Sequence, residues 1–504
     1  MGDSFTKTAE AADVEKKKDA GVIVEVRAIS DSDSDVTPTP SYPPSIHAHD
    51  DAGKLSSPSS ATIVPISPIS YASFASSSAT LAADDPPPNG GWAAWSQVVA
   101  GVLLNAVGWG FPATFGVFQA FYVSAQGLPA SQVAWVGAVQ GFLAYLLCVV
   151  SGRLSDAGYI LSTVAAGTVL VALGTFTASL AQGVWWQIFL SQGLCTGLGL
   201  GMLTPPTLAT INSHFDESKR SLAVTTATVG TSIGSIVFPA VVQHLIPHIG
   251  FAWAMRVAGF VALTFCLCAL ALLRPRRHQR LVEERKQKQV GSEPLIDIGA
   301  LREVPFVCFV VSSFLFFVAL YFAFFYINII GEVVAGMAPT QSVALVMINS
   351  ALGIPTRPLA GFVACRFKRL GPAGVFVISA VITGISVLCW AAATGPAGMY
   401  VFAAVFGLAN GAAQGIWPAV LVALTPDPSR VGMRFGMLCA FAGLATLIGP
   451  PLAAAIVDAS GGRWYLPAQI WAGSLAVVGG LIAWGSKTKP SSTPVEKKVE
   501  ALDV

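Results

Sequence analysis

Between Trp92 and Trp484 the chain is a succession of long apolar runs separated by short polar or Gly/Pro-bearing breaks. A run of about 18 residues, rising about 1.5 Å per residue as a helix, crosses a hydrocarbon core of about 30 Å. The pattern places such runs near 93–121, 133–151, 160–181, 186–211, 222–245, 251–273, 305–330, 341–364, 373–393, 398–424, 435–457 and 464–485. Twelve transmembrane helices are therefore expected, in an all-α membrane protein.

The polar stretches divide the chain. Residues 1–88 are rich in Ser, Asp, Pro and Ala and include Ser30-Asp31-Ser32-Asp33-Ser34-Asp35 and Pro86-Pro87-Pro88. This composition buries too little apolar surface to fold, so a disordered cytoplasmic tail is expected. Its serine/acidic run is either simply solvated or a phosphorylation or sorting site. A second polar segment, 274–304, carries eight Arg and Lys residues and separates a six-helix bundle at 89–273 from another at 305–485. Residues 486–504 make a polar C-terminal tail. The N-terminus has no short apolar run with a cleavage site, so the first span is expected to act as its own insertion signal.

Basic residues sort the loops into two sides. One side collects sixteen Lys and Arg, including Arg153, Lys219, Arg220, Arg366 and Arg434, while the other holds only Arg463. The positive side stays cytoplasmic, so both tails and the 274–304 linker are expected inside. The plasma membrane is the first expectation and a vacuolar or other internal membrane the second. The halves also repeat: Gly152 and Gly361, Pro206 and Pro418, and Pro239 and Pro450 are 209, 212 and 211 residues apart. Two parallel six-helix repeats imply a cavity at their interface, opened alternately to each side.

Composition narrows the function. The chain is 54% hydrophobic and 11% charged, and its net charge of +2 comes from scattered residues, not from a basic face for nucleic acid. The eight cysteines lie in or at the ends of apolar runs without metal-ligand spacing and read as packing residues. The six histidines form no metal or nucleophile constellation within the spans, so neither an enzyme nor a cofactor is expected.

Five stretches resemble the major facilitator superfamily, and in particular its monocarboxylate-porter branch of fungal type. They are Asn89-Gly90-Gly91-Trp92 through Trp95; Gln192-Gly193 to Pro205-Pro206; Gly250-Phe251-Ala252-Trp253-Ala254-Met255-Arg256; Gly353-Ile354-Pro355-Thr356-Arg357 to Gly361; and Leu424-Thr425-Pro426-Asp427-Pro428-Ser429 to Gly449-Pro450-Pro451. The resemblance covers about 89–485 and implies a transporter working by alternating access. The superfamily's loop 2–3 signature survives as Gly152-Arg153-Leu154-Ser155-Asp156, and its second copy keeps Gly361 but has Cys365 at the usual aspartate. Gly152, Gly361 and Asp156 are thus gating candidates, with Asp156 either latched to a cytoplasmic arginine or simply solvated.

Charges inside spans cost at least roughly 2.5–3.5 kcal/mol, so the two candidates stand out. Arg256 lies near the outer end of its span, where it can snorkel. Arg357 lies roughly 12 Å deep and matches the arginine that the resemblance implies would hold a substrate carboxylate in a bidentate contact. A structural pair with a neighbouring polar group is the other reading of Arg357. Two partners that the branch carries are absent: Ala113 follows Pro112 where a lysine is usual, and Gly353 stands where an acid is usual.

No Asp or Glu falls in the middle of a span, so the usual proton relay has no seat, and His244, near an outer end of its span, is the one titratable group placed to contradict this. The remaining polar and aromatic candidates for a binding cavity are Asn105, Trp109, Gln119, Gln140, Asn328, Asn349, Asn410, Gln414 and Trp417. With one arginine they point to a small organic solute larger than lactate or pyruvate, partly aromatic or weakly acidic: an organic acid, vitamin or secondary metabolite. Import and export stay open, and a transport-dead nutrient sensor of the same fold is the alternative. The expected partners are this solute and the lipid bilayer.

Overall fold

The structure is a computed structural model that describes residues 89–181, 183–274, 296–460 and 464–487. The N-terminal tail, most of the linker, Arg463 and the C-terminal tail lie outside the described residues. Helices form along every apolar run, because in hydrocarbon each backbone N–H and C=O has to be satisfied within its own segment. We number them α1 (Gly91–Ser124), α2 (Ala130–Asp156), α3 (Ile160–Ala178), α4 (Trp185–His214), α5 (217–249), α6 (251–272), α7 (Val304–Val333), α8 (Pro339–Arg366), α9 (Gly371–Cys389), α10 (Pro396–Leu424), α11 (Val431–Ala459) and α12 (Leu466–Ile482).

Among the described residues eleven stretches are long and apolar enough to span a membrane, and one of them, Glu217–Leu272, holds two spans. Its turning point is Gly250 at φ 79° and ψ 163°, a conformation open to glycine and strained for other residues. Pro247, three residues earlier, cannot donate to the helix ladder and weakens the last turn of α5. The count of twelve therefore holds.

Helix ends differ from the sequence reading where side chains find partners. The linker's last residues do not run free: 296–303 form a turn at Ala300–Arg302 that packs beside α11. Arg434, expected in a solvated loop, is instead buried in the first turn of α11. It donates to Asp297 (3.1 Å) and to both oxygens of Glu303 (2.9 and 2.6 Å), and it sits 5.6 Å over the Phe306 ring. A buried guanidinium needs such partners. α4 is also irregular, with a π-helical segment at Phe189–Thr196 and a break before Pro205-Pro206.

Within the first six helices α1 packs along α5, and Gln97 of α1 closes the set by bonding Leu272 O and Arg274 N at the end of α6. Asp216 caps α5 by accepting from Ser218 N (3.0 Å) and also binds Asn89 (2.6 Å), tying the start of α1 to the α4–α5 turn. Within the last six, α8 packs on α10, α9 on α12 and α7 on α11 and α12. One contact is repeated between the sets at an offset of about 210 residues: Gly197 of α4 lies against Gln140 of α2, and Gly407 of α10 lies against Asn349 of α8.

The two sets meet along α2–α11 and α5–α8, from mid-helix to the end that carries the basic loops. A Cβ on Gly436 would lie 2.5 Å from Cys148 O, and one on Gly443 would lie 2.9 Å from the Tyr145 Cβ. Toward the opposite end Ala113 and Gly116 of α1 are exposed, and a Cβ at Gly116 would meet nothing within 4 Å. The basic end is closed in this conformation.

Candidate functional site

Arg357 sits where α5, α8 and α10 converge. Its stem lies against Gly415 of α10, where a Cβ would come within 2.9 Å of the Arg357 Cβ. It is 5% exposed, and its Nε donates to Ser232 Oγ (3.1 Å) while Nη2 donates to Gln414 Oε1 (3.3 Å). Gln414 Nε2 in turn donates to Asn410 Oδ1 (2.8 Å), so Asn410 orients Gln414 and Gln414 orients the guanidinium. Among the described residues no carboxylate pairs with Arg357. Both partners are neutral, which leaves its charge uncompensated.

The structure also explains Gly353. A Cβ there would lie 2.5 Å from Ser232 Oγ, so the serine of α5 occupies the space that an acidic side chain one turn before Arg357 would need. Ser232 was not visible as a candidate in the sequence, because a serine in a helix usually bonds its own backbone.

An aromatic row crosses between the helix sets. Trp109 of α1 packs on Tyr145 of α2 with ring centroids 4.6 Å apart, and Tyr145 meets Phe317 of α7 at 6.0 Å. Phe317 meets Trp417 of α10 at 5.0 Å, and Trp417 meets Phe435 of α11 at 5.5 Å. The hydroxyls of Tyr145 and Tyr321 share a hydrogen bond of 2.9 Å from one set to the other. The sequence reading missed Tyr145, Phe317 and Tyr321. Tyrosine hydroxyls in mid-span were the available signal, since a buried O–H seeks a partner.

The predicted residues therefore separate. Arg357, Gln414 and Asn410 come together, and Trp109 and Trp417 are joined through Tyr145 and Phe317. Trp417 is buried and its Nε1 donates to Ser313 Oγ (2.8 Å), so it belongs to the packing of α7 and α10 and not to an open wall. Asn105 is also turned inward, with Nδ2 bonded to Gly101 O of its own helix (2.8 Å). Asn349 is buried, and its Oδ1, like Asn328 Oδ1 and both amide atoms of Gln140, has no hydrogen-bond partner among the described residues. Buried amide atoms without a partner are costly and mark places where a ligand or water would bind.

At the basic end Gly152 and Gly361 occupy equivalent contacts. A Cβ on Gly152 would fall on Gly432 O of α11, and a Cβ on Gly361 would fall on Thr225 Oγ1 of α5. Asp156 Oδ1 accepts from Gly432 N (2.8 Å) and Oδ2 from Met433 N (2.6 Å). Its carboxylate thus caps the positive N-terminal end of α11 across the interface, a contact the arginine reading did not anticipate. Arg256 fits its structural reading, bonded to Ser179 Oγ (3.2 Å) and lying 4.9 Å over Trp253. A groove of about 450 Å³ between α3 and α4, lined by Leu173, Leu180, Trp186 and Cys195, lies apart from all these residues.

The sequence profile of the Major Facilitator Superfamily matches residues 98–372 and 367–502, nearly the whole helical region. The chain belongs to this superfamily of membrane transporters. It is 32% identical over 396 residues to an MFS-type transporter of Gibberella zeae, covering 78% of this chain and 86% of that one. It is 30% identical over 410 residues to the aspyridones efflux protein of Emericella nidulans, covering 80% and 79%. The fold is shared with the human organic anion transporter MFSD10 (TM-score 0.58, 15% identity, 79% of this chain and all of that one). It is shared equally with the proton:xylose symporter XylE (TM-score 0.59, 14% identity, 78% and 94%). This transporter is accordingly a multi-pass membrane protein that carries a small organic solute by alternating access.

Proposed function

We propose that the protein exports a weakly acidic, partly aromatic secondary metabolite from the cytosol, across the plasma membrane, as a member of the monocarboxylate-porter-like branch. The observation that carries this reading is Arg357: a guanidinium buried between the helix sets, held by Ser232 and Gln414 and by no carboxylate among the described residues. A substrate anion supplies the missing charge, and the planar guanidinium offers it two parallel N–H donors. Trp109, Tyr145 and Phe317 supply ring surface for an aromatic body, and Asn349 and Asn328 offer unpaired amide oxygens to a donor group. Export is favoured by relatives described as efflux proteins, for aspyridones and for fujikurins.

In this reading Asp156, Gly152 and Gly361 are gate residues. They hold the basic, cytosolic end shut in the present conformation, and the gate opens when α2 parts from α11 and α5 from α8. The test is counterflow in vesicles holding the full-length protein, using an aromatic carboxylic acid and its methyl ester. The acid should exchange at least tenfold faster than the ester. Equal rates for the two would overturn the assignment of an anionic substrate.

A further inference from the structure

We infer that His244 and His248 form a two-imidazole site for a divalent transition-metal ion at the end of α5 opposite the basic loops. They are four residues apart and therefore on one helix face, the spacing at which two histidines chelate one metal. Their ring centroids are 4.9 Å apart. Two imidazole nitrogens bound at about 2.0–2.1 Å with a near-tetrahedral angle put ring centres roughly 5.2 Å apart. The helix thus holds the rings close to chelating separation before any ion arrives.

Both side chains are exposed, and among the described residues no hydrogen bond occupies their ring nitrogens. Position favours access as well. α5 has about 33 residues where about 20 suffice to span the hydrocarbon, so its final turns extend into the polar interface. Pro247 lies between the two histidines and removes a backbone donor from that last turn, next to the Gly250 joint with α6. An ion bridging the two imidazoles replaces the missing restraint by linking one turn to the next. Imidazole pairs select Cu²⁺, Ni²⁺ and Zn²⁺ over Mg²⁺ and Ca²⁺, with water completing the coordination.

The experiment uses the purified full-length chain with His47, His49 and His278 replaced by Ala, so that only the helical histidines remain. Calorimetric titration with NiCl₂ should show one ion per chain, and His244→Ala or His248→Ala should weaken binding at least tenfold. A chain in which His248→Ala is combined with Ile249→His moves the second imidazole to a five-residue spacing and should bind no better than His248→Ala. Electron paramagnetic resonance of one equivalent of Cu²⁺ on the parent chain should report two equatorial nitrogens, which tests the site without altering it. Nickel affinity unchanged in the His244→Ala, His248→Ala double variant, or copper spectra without two nitrogens, would overturn the site.

Discussion

Arg357 is fixed on two sides, by Ser232 Oγ at 3.1 Å and Gln414 Oε1 at 3.3 Å, and both contacts use its fork geometry. Lysine keeps the charge but has no planar fork and cannot reproduce both bonds. Arg357→Lys is expected to lower the initial transport rate of an acidic substrate at least tenfold per molecule at the membrane, and Arg357→Ala further still. Arg256→Lys should be near normal, because its contacts are a single serine and an indole face. Normal turnover in a well-expressed Arg357→Ala chain would remove the residue from the binding site. Gly152 and Gly361 act by lacking a side chain: even one Cβ collides with Gly432 O or Thr225 Oγ1. The Gly152→Val and Gly361→Val chains are therefore expected to populate the conformation opened at the basic end. Cysteines placed along α2 near the interface should gain thiol reactivity from that side by severalfold, and unchanged reactivity would refute the gate role.

At the scale of elements, the first turn of α11 is the junction of the molecule. Its amides at Gly432 and Met433 receive Asp156 from α2, and Arg434, one residue later, receives Asp297 and Glu303 from the end of the linker. Asp297 and Arg434 are both buried, whereas Glu303 is substantially exposed. Leaving one member of a buried pair alone costs about 3–5 kcal/mol, so Asp297→Ala is expected to lower the unfolding temperature in detergent clearly. Glu303→Gln should cost about 0–1 kcal/mol, because water screens its side of the contact.

Burial raises the Asp297 carboxyl, but the hydrogen bond and charge of Arg434, the Ala300 amide and Arg430 outweigh it and hold the group below its ordinary value. A depressed acid stabilises the fold above its unfolded pKa, near 3.9, and loses that contribution as pH falls through the folded value. The difference in unfolding temperature between the native chain and Asp297→Asn is therefore expected to stay constant from pH 8 to 5. It should shrink only below about pH 4. A difference that changes between pH 6 and 8 would assign the effect to another group.

For the molecule as a whole, the placement of acids limits how transport is driven. Asp156, Glu217, Glu332 and Asp458 all stand within the first or last turn of their helices. With no carboxylate in mid-helix among the described residues, coupling to protons is expected to pass through the substrate's own acid group or to be absent, with His244 as the one group placed to contradict this. A pH gradient should concentrate an aromatic acid in vesicles but not its methyl ester, and gradient-driven accumulation of the ester would refute this. Orientation follows from loop charge: a cysteine introduced at Gly291 in the linker should resist an impermeant reagent applied to intact cells and react once the membrane is opened. Labelling in intact cells would invert the assignment.

The chain alone determined the number of helices and their ends to within a few residues, because the hydrocarbon imposes length and polarity on each segment independently of its neighbours. It also marked Arg357, since a charge at that depth is expensive wherever it points. Which uncharged groups would meet that charge depended on three helices converging. Ser232 on α5 and Gln414 on α10 lie 125 and 57 residues from Arg357, and no periodicity within one helix encodes such a contact. The same holds for Tyr145 beside Tyr321 and for Arg434 between Asp297 and Glu303. Asn105 and Trp417 show the converse, for composition made them candidates while packing turned one onto its own backbone and the other into the α7–α10 core. A polar or aromatic side chain in a membrane helix has to satisfy its hydrogen bonds inside the protein, and only the arrangement of neighbouring helices decides whether that partner is protein or solute.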